Sequence, residues 1–75
     1  MSERKIMLRQ EEVSEFVNRA SKCAFDVDIF YNRYTVDAKS ILGVLGLDFK
    51  QVLTVRCNGY DAEFENYLKN FALAC

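Results

Sequence analysis

The 75-residue sequence contains no histidine, no proline and no tryptophan, and only three glycines and three cysteines. Without imidazole there is no His/Cys zinc site and no Ser-His or Cys-His nucleophile pair. The cysteines, Cys23, Cys57 and Cys75, are an odd count with no Cys-x-x-Cys pair, too few for a thiolate-only metal site. Cys23 and Cys57 read as small core residues and Cys75 as a terminal thiol. No apolar run approaches the roughly 18 residues needed to cross a bilayer. The charged start, Met1-Ser2-Glu3-Arg4-Lys5, leads into no signal-type apolar region. Ten basic and eleven acidic residues are interspersed and leave a net charge of −1. A nucleic-acid partner would need a basic stripe, and none is visible. The expectation is a soluble cytoplasmic protein with no membrane insertion, no nucleic-acid partner, no metal and no cofactor.

What is present is apolar. Hydrophobic residues make up 51% of the chain and aromatics 13%, enough for a core and too many for a disordered segment. Residues 1–75 are expected to form a single domain. A chain this short buries only about 60–65% of its extended surface, so the core is small.

In chain order, Lys5 to Arg9 places Ile6 and Leu8 on one side of an extended segment, which predicts a short first strand. Acidic Glu11 and Glu12 suit a helix start. Val13, Phe16, Val17, Ala20 and Ala24 then fall at helical spacing, predicting an amphipathic helix over about 11–23. Phe25 to Tyr31 alternates, with Phe25, Val27, Ile29 and Tyr31 on one face and Asp26, Asp28 and Phe30 on the other. Asn32-Arg33 reads as a two-residue turn, although arginine is a poor choice where φ must be positive. Tyr34 to Val36 forms the returning strand. Ser40 caps a short apolar helix ending near Leu47 or Asp48. Val52 to Cys57 is again strand-like, with Leu53, Val55 and Cys57 on one face. Asn58-Gly59 is a turn signal, and Asp61 is a good N-cap. Phe64, Tyr67, Leu68, Phe71 and Ala72 share a stripe, so a last helix is expected over about 62–74. The order is βαββαβα. Four antiparallel strands with three helices on one face give a two-layer, open-faced α+β sandwich.

The stretch Val36 to Leu47 is the most specific. Ser40 stands directly before Ile41, Leu42, Val44, Leu45 and Leu47, with Gly43 and Gly46 three residues apart. Serine at an N-cap accepts a hydrogen bond from a free backbone N–H of the first turn. Free N–H groups and the helix dipole also favour negative charge there. The run Asp37, Lys39, Ser40, Ile41, Leu42, Gly43, Val44, Leu45 and Leu47 resembles the regulatory-serine segment of HPr. HPr is the small histidine-containing phosphocarrier of the bacterial sugar phosphotransferase system. The resemblance extends more weakly from about Ser14 to Leu73. It implies the HPr fold, with strands in the spatial order first, fourth, second, third, which periodicity alone cannot show.

The resemblance departs from the family where the family's chemistry lies. HPr takes a phosphoryl group on a histidine in a Gly-x-His-Ala-Arg-Pro stretch between the first strand and first helix. This chain has Arg9, Gln10, Glu11 and Glu12 there, and no histidine anywhere. Glu11 and Glu12 would repel a phosphate at that helix start. Glu11/Glu12 and Asp26/Asp28 read as ordinary surface acids with no partner for acid–base work. No phosphate-cradling glycine loop or dinucleotide fingerprint occurs, so an enzyme is not expected. Cys23 falls at the end of the first helix, far from the loop where a cysteinyl phosphate carrier would need it.

What remains, by resemblance, is the serine. In HPr of many Gram-positive bacteria the matching serine is phosphorylated by an ATP-dependent HPr kinase/phosphorylase, and the product binds a catabolite-control repressor. Some relatives keep only this serine. The resemblance therefore implies Ser40 as a regulatory phosphoacceptor, Lys39 as a phosphate neighbour, and Ile41, Leu42 and Leu45 as a partner-docking patch. Three readings stay open. One is a regulatory or adaptor domain, a binding module and substrate whose partners are HPr kinase/phosphorylase, the repressor or other transport-system proteins. The second is a degenerate HPr paralogue serving as a structural or interaction domain without phosphorylation, in one version a dimer that buries the same patch; the general expectation is a monomer or weak homodimer. The third is an unrelated small-ligand-binding α+β domain.

Overall fold

The computed structural model describes residues 2–71. The strands are β1 (Ser2–Ile6), β2 (Val27–Tyr31), β3 (Tyr34–Asp37) and β4 (Leu53–Cys57). The helices are α1 (Val13–Ser21), α2 (Ile41–Leu45) and α3 (Ala62–Leu68), with one 3-10 turn at Gln10–Glu12. The element order is the expected one. The sheet is antiparallel throughout and runs β1-β4-β2-β3.

Alternation settles which face of the sheet is covered. Leu53, Val55 and Cys57 of β4 and Val27 and Ile29 of β2 point inward and are fully buried. They meet Val13, Phe16, Val17 and Ala20 of α1, Val44 of α2, and Phe64, Tyr67 and Leu68 of α3 in one continuous core. The opposite face is polar and open. There Arg56 is flanked by Glu3 of β1 and Asp28 of β2. Its Nε donates to Glu3 Oε2 at 3.0 Å, and its guanidinium lies 4.6 Å from the Phe30 ring centroid.

The first strand lies earlier than the apolar pattern placed it. It occupies Ser2–Ile6 and leaves the sheet at Met7, whose N–H donates to Phe71 O at 3.2 Å. Its pairing, Ser2↔Cys57 through Ile6↔Leu53, spans the whole of β4. Its inward positions before Ile6 are Ser2 and Arg4, which reach into the core edge and meet Glu65 of α3. Arg4 Nε donates to Glu65 Oε1 at 2.8 Å and Ser2 Oγ to Oε2 at 3.3 Å. Glu65 is 7% exposed, the charged residue among those buried. A carboxylate this enclosed is tolerable only with partners of this kind.

Other boundaries moved less. α1 is preceded by the 3-10 turn, and Ala24 lies past its end and is exposed. α2 stops at Leu45, two residues before the expected end, with Gly46 as C-cap. α3 stops at Leu68, while the expected end at Ala74, the stripe residue Ala72 and Cys75 lie outside the described residues. Asp61 caps α3 as expected, accepting from Phe64 N at 3.0 Å. In the hairpin, Asn32 takes the positive φ (52°) and Arg33 does not, so arginine at the second position is unstrained.

Gly59 is required for space. A Cβ there would stand 2.5 Å from Phe25 Cδ2 and 2.7 Å from Cγ. Phe25 is half-buried against the core and cannot retreat without repacking. Gly59→Ala is expected to destabilise by about 1–3 kcal/mol, an overpacking penalty. Urea unfolding followed by circular dichroism reads it, and an unchanged midpoint would contradict the tight Phe25 contact.

Candidate functional site

The chain reaches Ser40 through a rigid corner. Ala38 is completely buried, and its N–H donates to Val27 O at 2.8 Å. Asp37 holds both following amides: Lys39 N donates to its Oδ1 at 2.9 Å and Ser40 N to its carbonyl at 3.0 Å. With Ala38 pinned inward, Ser40 is thrown outward and is exposed. Its backbone is extended (φ −102°, ψ 108°), and its Oγ accepts from Gly43 N at 3.3 Å. This is the N-cap that the sequence predicts.

The five-residue helix it opens divides its apolar residues between two sides. Val44 is fully buried, and so nearly is Leu47 beyond the helix. Ile41, Leu42 and Leu45 remain 45%, 81% and 40% exposed. Ser40, Ile41, Leu42 and Leu45 thus lie together on one accessible surface, a hydroxyl beside an apolar collar. Lys39 is placed differently. Its ammonium donates to the carbonyl oxygen of Cys23 at 2.9 Å, across the corner at the end of α1. Nothing in the local sequence pointed to that contact, because the partner is a backbone atom sixteen residues earlier.

The start of the first helical segment carries its own anion. Arg9 N donates to Glu12 Oε1 at 2.8 Å, and the Arg9 guanidinium lies 3.6 Å from Glu12 and 3.9 Å from Glu11. Two carboxylates therefore stand at this helix start, and both oppose a further negative charge there. Among the described residues, no group of three His, Cys, Asp or Glu side chains could hold a metal ion. No helix of the described residues is long and apolar enough to cross a membrane.

Cys23 and Cys57 are free, buried thiols. Burial pushes both up, Cys57 to about 11, with the negative Glu65 adding to the effect. Burial likewise raises the Tyr67 hydroxyl to about 12. These groups are neutral when folded and ionise more readily when unfolded. Their contribution to stability is therefore complete below the ordinary thiol value of 9.0 and is lost as pH rises through about 11. The melting temperature is expected to fall across that window, and a flat profile through it would contradict the burial of Cys57.

A small open-faced α+β sandwich with strand order β1-β4-β2-β3 and a short serine-capped helix defines the fold class of the small phosphocarrier domains. The family model described as the PTS HPr component phosphorylation site matches residues 8–71. The chain belongs to the HPr family. Members of this family are phosphocarriers of the sugar phosphotransferase system, not enzymes, and act through contacts with its other proteins. No curated protein matches the chain. Among solved structures it is similar to selenomethionyl Crh, the Bacillus subtilis catabolite repression containing protein, at 25% identity and a TM-score of 0.65. The match covers 93% of this chain and 88% of that one, and the Crh crystal structure reveals an unexpected swapped domain in an intertwined dimer. The family match overturns the reading of an unrelated small-ligand-binding domain. The expected fold and strand order stand.

Proposed function

We propose that this chain is a regulatory and adaptor domain of the HPr family whose working group is the Ser40 hydroxyl. Carriage of phosphohistidine needs an imidazole, and the chain has none. The observation that carries the reading is the placement of Ser40 on an accessible corner beside exposed Ile41, Leu42 and Leu45. An HPr kinase/phosphorylase supplies the chemistry. The serine oxygen attacks the γ-phosphorus of ATP, the hydroxyl proton leaves, the bond to the bridging oxygen breaks, and ADP departs. The domain is a substrate and a binding module in the cytoplasm, not a catalyst. Its phosphorylated form docks on a catabolite-control repressor through the apolar collar.

The test is titration of such a repressor, active toward its own HPr, against this protein with and without phosphoserine at position 40. At least about tenfold tighter binding of the phosphorylated form is expected, the worth of one good charge-assisted contact. Equal binding of the two forms, or binding of neither, overturns the reading. A second reading, a homodimeric interaction domain without phosphorylation, draws on the likeness to the dimeric Crh. Sedimentation velocity over a wide concentration range separates the two, since the adaptor reading expects a monomer or a weak dimer.

A further inference from the structure

The lysine next to Ser40 already has a partner. Its ammonium donates at 2.9 Å to the carbonyl oxygen of Cys23, one residue past the C-cap Lys22 of α1. Carbonyl groups at a helix end lack intrahelical donors and carry the negative end of the helix dipole, so a cation is favoured there. The same positive charge acts on the Cys23 thiol, whose Sγ donates to Arg19 O at 4.0 Å. Burial and the negative Asp61 push that thiol up, and the positive Lys39 opposes them. The backbone on the other side is fixed, because Asp37 holds the Lys39 amide and Ala38 is bonded to β2. Only the flexible side chain of Lys39 is free to change partners.

We propose that Lys39 is a two-position latch: it closes the end of α1 while Ser40 is unmodified and is drawn onto the phosphoryl group once Ser40 is phosphorylated. The inference rests on the reading of Ser40 as phosphoacceptor and adds how the modification is passed to a second element. Neighbouring Cα atoms are about 3.8 Å apart, so a phosphate on Ser40 lies within the sweep of the Lys39 stem. Charge decides the competition. A phosphoserine carries about −1.5 to −2, whereas a helix end is equivalent to about half an elementary charge. A hydrogen bond between two ionised groups is also stronger than one to a neutral carbonyl.

Release of the Cys23 carbonyl leaves the last turn of α1 held by Lys22 N to Arg19 O (3.2 Å), Cys23 N to Ala20 O (3.1 Å), and the side-chain bonds of Ser21 Oγ to Val17 O and Cys23 Sγ to Arg19 O. These bonds then open more often. Phosphorylation at the N-cap of α2 is thereby reported at the α1–β2 junction.

The experiment uses the full chain with phosphoserine inserted at position 40 during translation, so it does not depend on any kinase. Amide hydrogen exchange at Lys22 and Cys23 is compared in four proteins: unmodified and phosphorylated, each with Lys39 or with Lys39→Met. Relative to the unmodified protein, exchange is expected to accelerate about three- to tenfold in phosphorylated protein, the loss of one such hydrogen bond. Lys39→Met alone should reproduce the acceleration and should add nothing to the phosphorylated form. Two results overturn the latch. One is unchanged exchange in phosphorylated protein while Lys39→Met accelerates it, because the three-donor ammonium then holds both partners or never moves. The other is no effect of Lys39→Met, because the contact then secures nothing. Failure of a kinase to modify Ser40 would instead sink the regulatory reading on which the latch rests, a result distinct from either of these exchange outcomes.

Discussion

Phe16→Ala is expected to lower the unfolding free energy by about 3–5 kcal/mol, which for this chain is close to unfolding it. Small domains are stable by roughly 0.05–0.15 kcal/mol per residue, or about 4–11 kcal/mol for a chain of this length. Phe16 is fully buried, and its ring centroid is 6.2 Å from that of Phe64. It is the largest of the completely enclosed side chains and stands where α1, α3 and the sheet meet. Its removal loses both the apolar transfer energy and the contacts around a cavity that a core this small cannot collapse into. Urea unfolding read by circular dichroism measures the change. A midpoint lowered by less than a fifth would mean that the helices are held to the sheet elsewhere.

Leu42→Glu is expected to do the opposite: leave stability untouched and remove function. Leu42 is 81% exposed, so the exchange buries no charge and opens no cavity. The unfolding midpoint should stay within error of the parent. Binding of the phosphorylated protein to a repressor should fall by at least about tenfold, because a central apolar anchor at an interface is typically worth 1–2 kcal/mol or more. Val44→Ala, two residues further along the helix and on its buried side, supplies the contrast, since it should lower stability. If Leu42→Glu binds as well as the parent, the collar is not the docking surface. If it unfolds, the side chain was never free.

The contrast between Leu42 and Arg4 shows how much was legible. β2 and β4 were readable because their inward residues are apolar and alternate with outward ones, and β3 because it returns from the Asn32-Arg33 turn. β1 was misplaced because its inward residues at the start are Ser2 and Arg4, and burial there is made tolerable by Glu65, sixty-one residues after Arg4. Periodicity cannot see a compensation made in three dimensions. The N-caps Ser40 and Asp61 were legible because the capping bond is local. Which residues form the exposed patch, Ile41, Leu42 and Leu45, was implied by the family resemblance, while counting shows only that a helix this short cannot bury all of its apolar residues. The partner of Lys39 could not be read, because Cys23 is distant in sequence and contributes only a backbone oxygen. The strand order β1-β4-β2-β3 was accessible through family resemblance alone.

The central claim is that this member of the HPr family works through Ser40 and not through phosphohistidine. Its most direct test is intact mass with site mapping after two parallel incubations, beside an HPr control modified in both. One contains ATP and an HPr kinase/phosphorylase, the other phosphoenolpyruvate and enzyme I. The account predicts one phosphoryl group from ATP, mapped to Ser40 and lost in Ser40→Gly, a variant whose helix cap is weakened by only a few tenths of a kcal/mol. It predicts none from phosphoenolpyruvate. Modification through enzyme I, or an unmodified Ser40 beside a fully phosphorylated control, would contradict it.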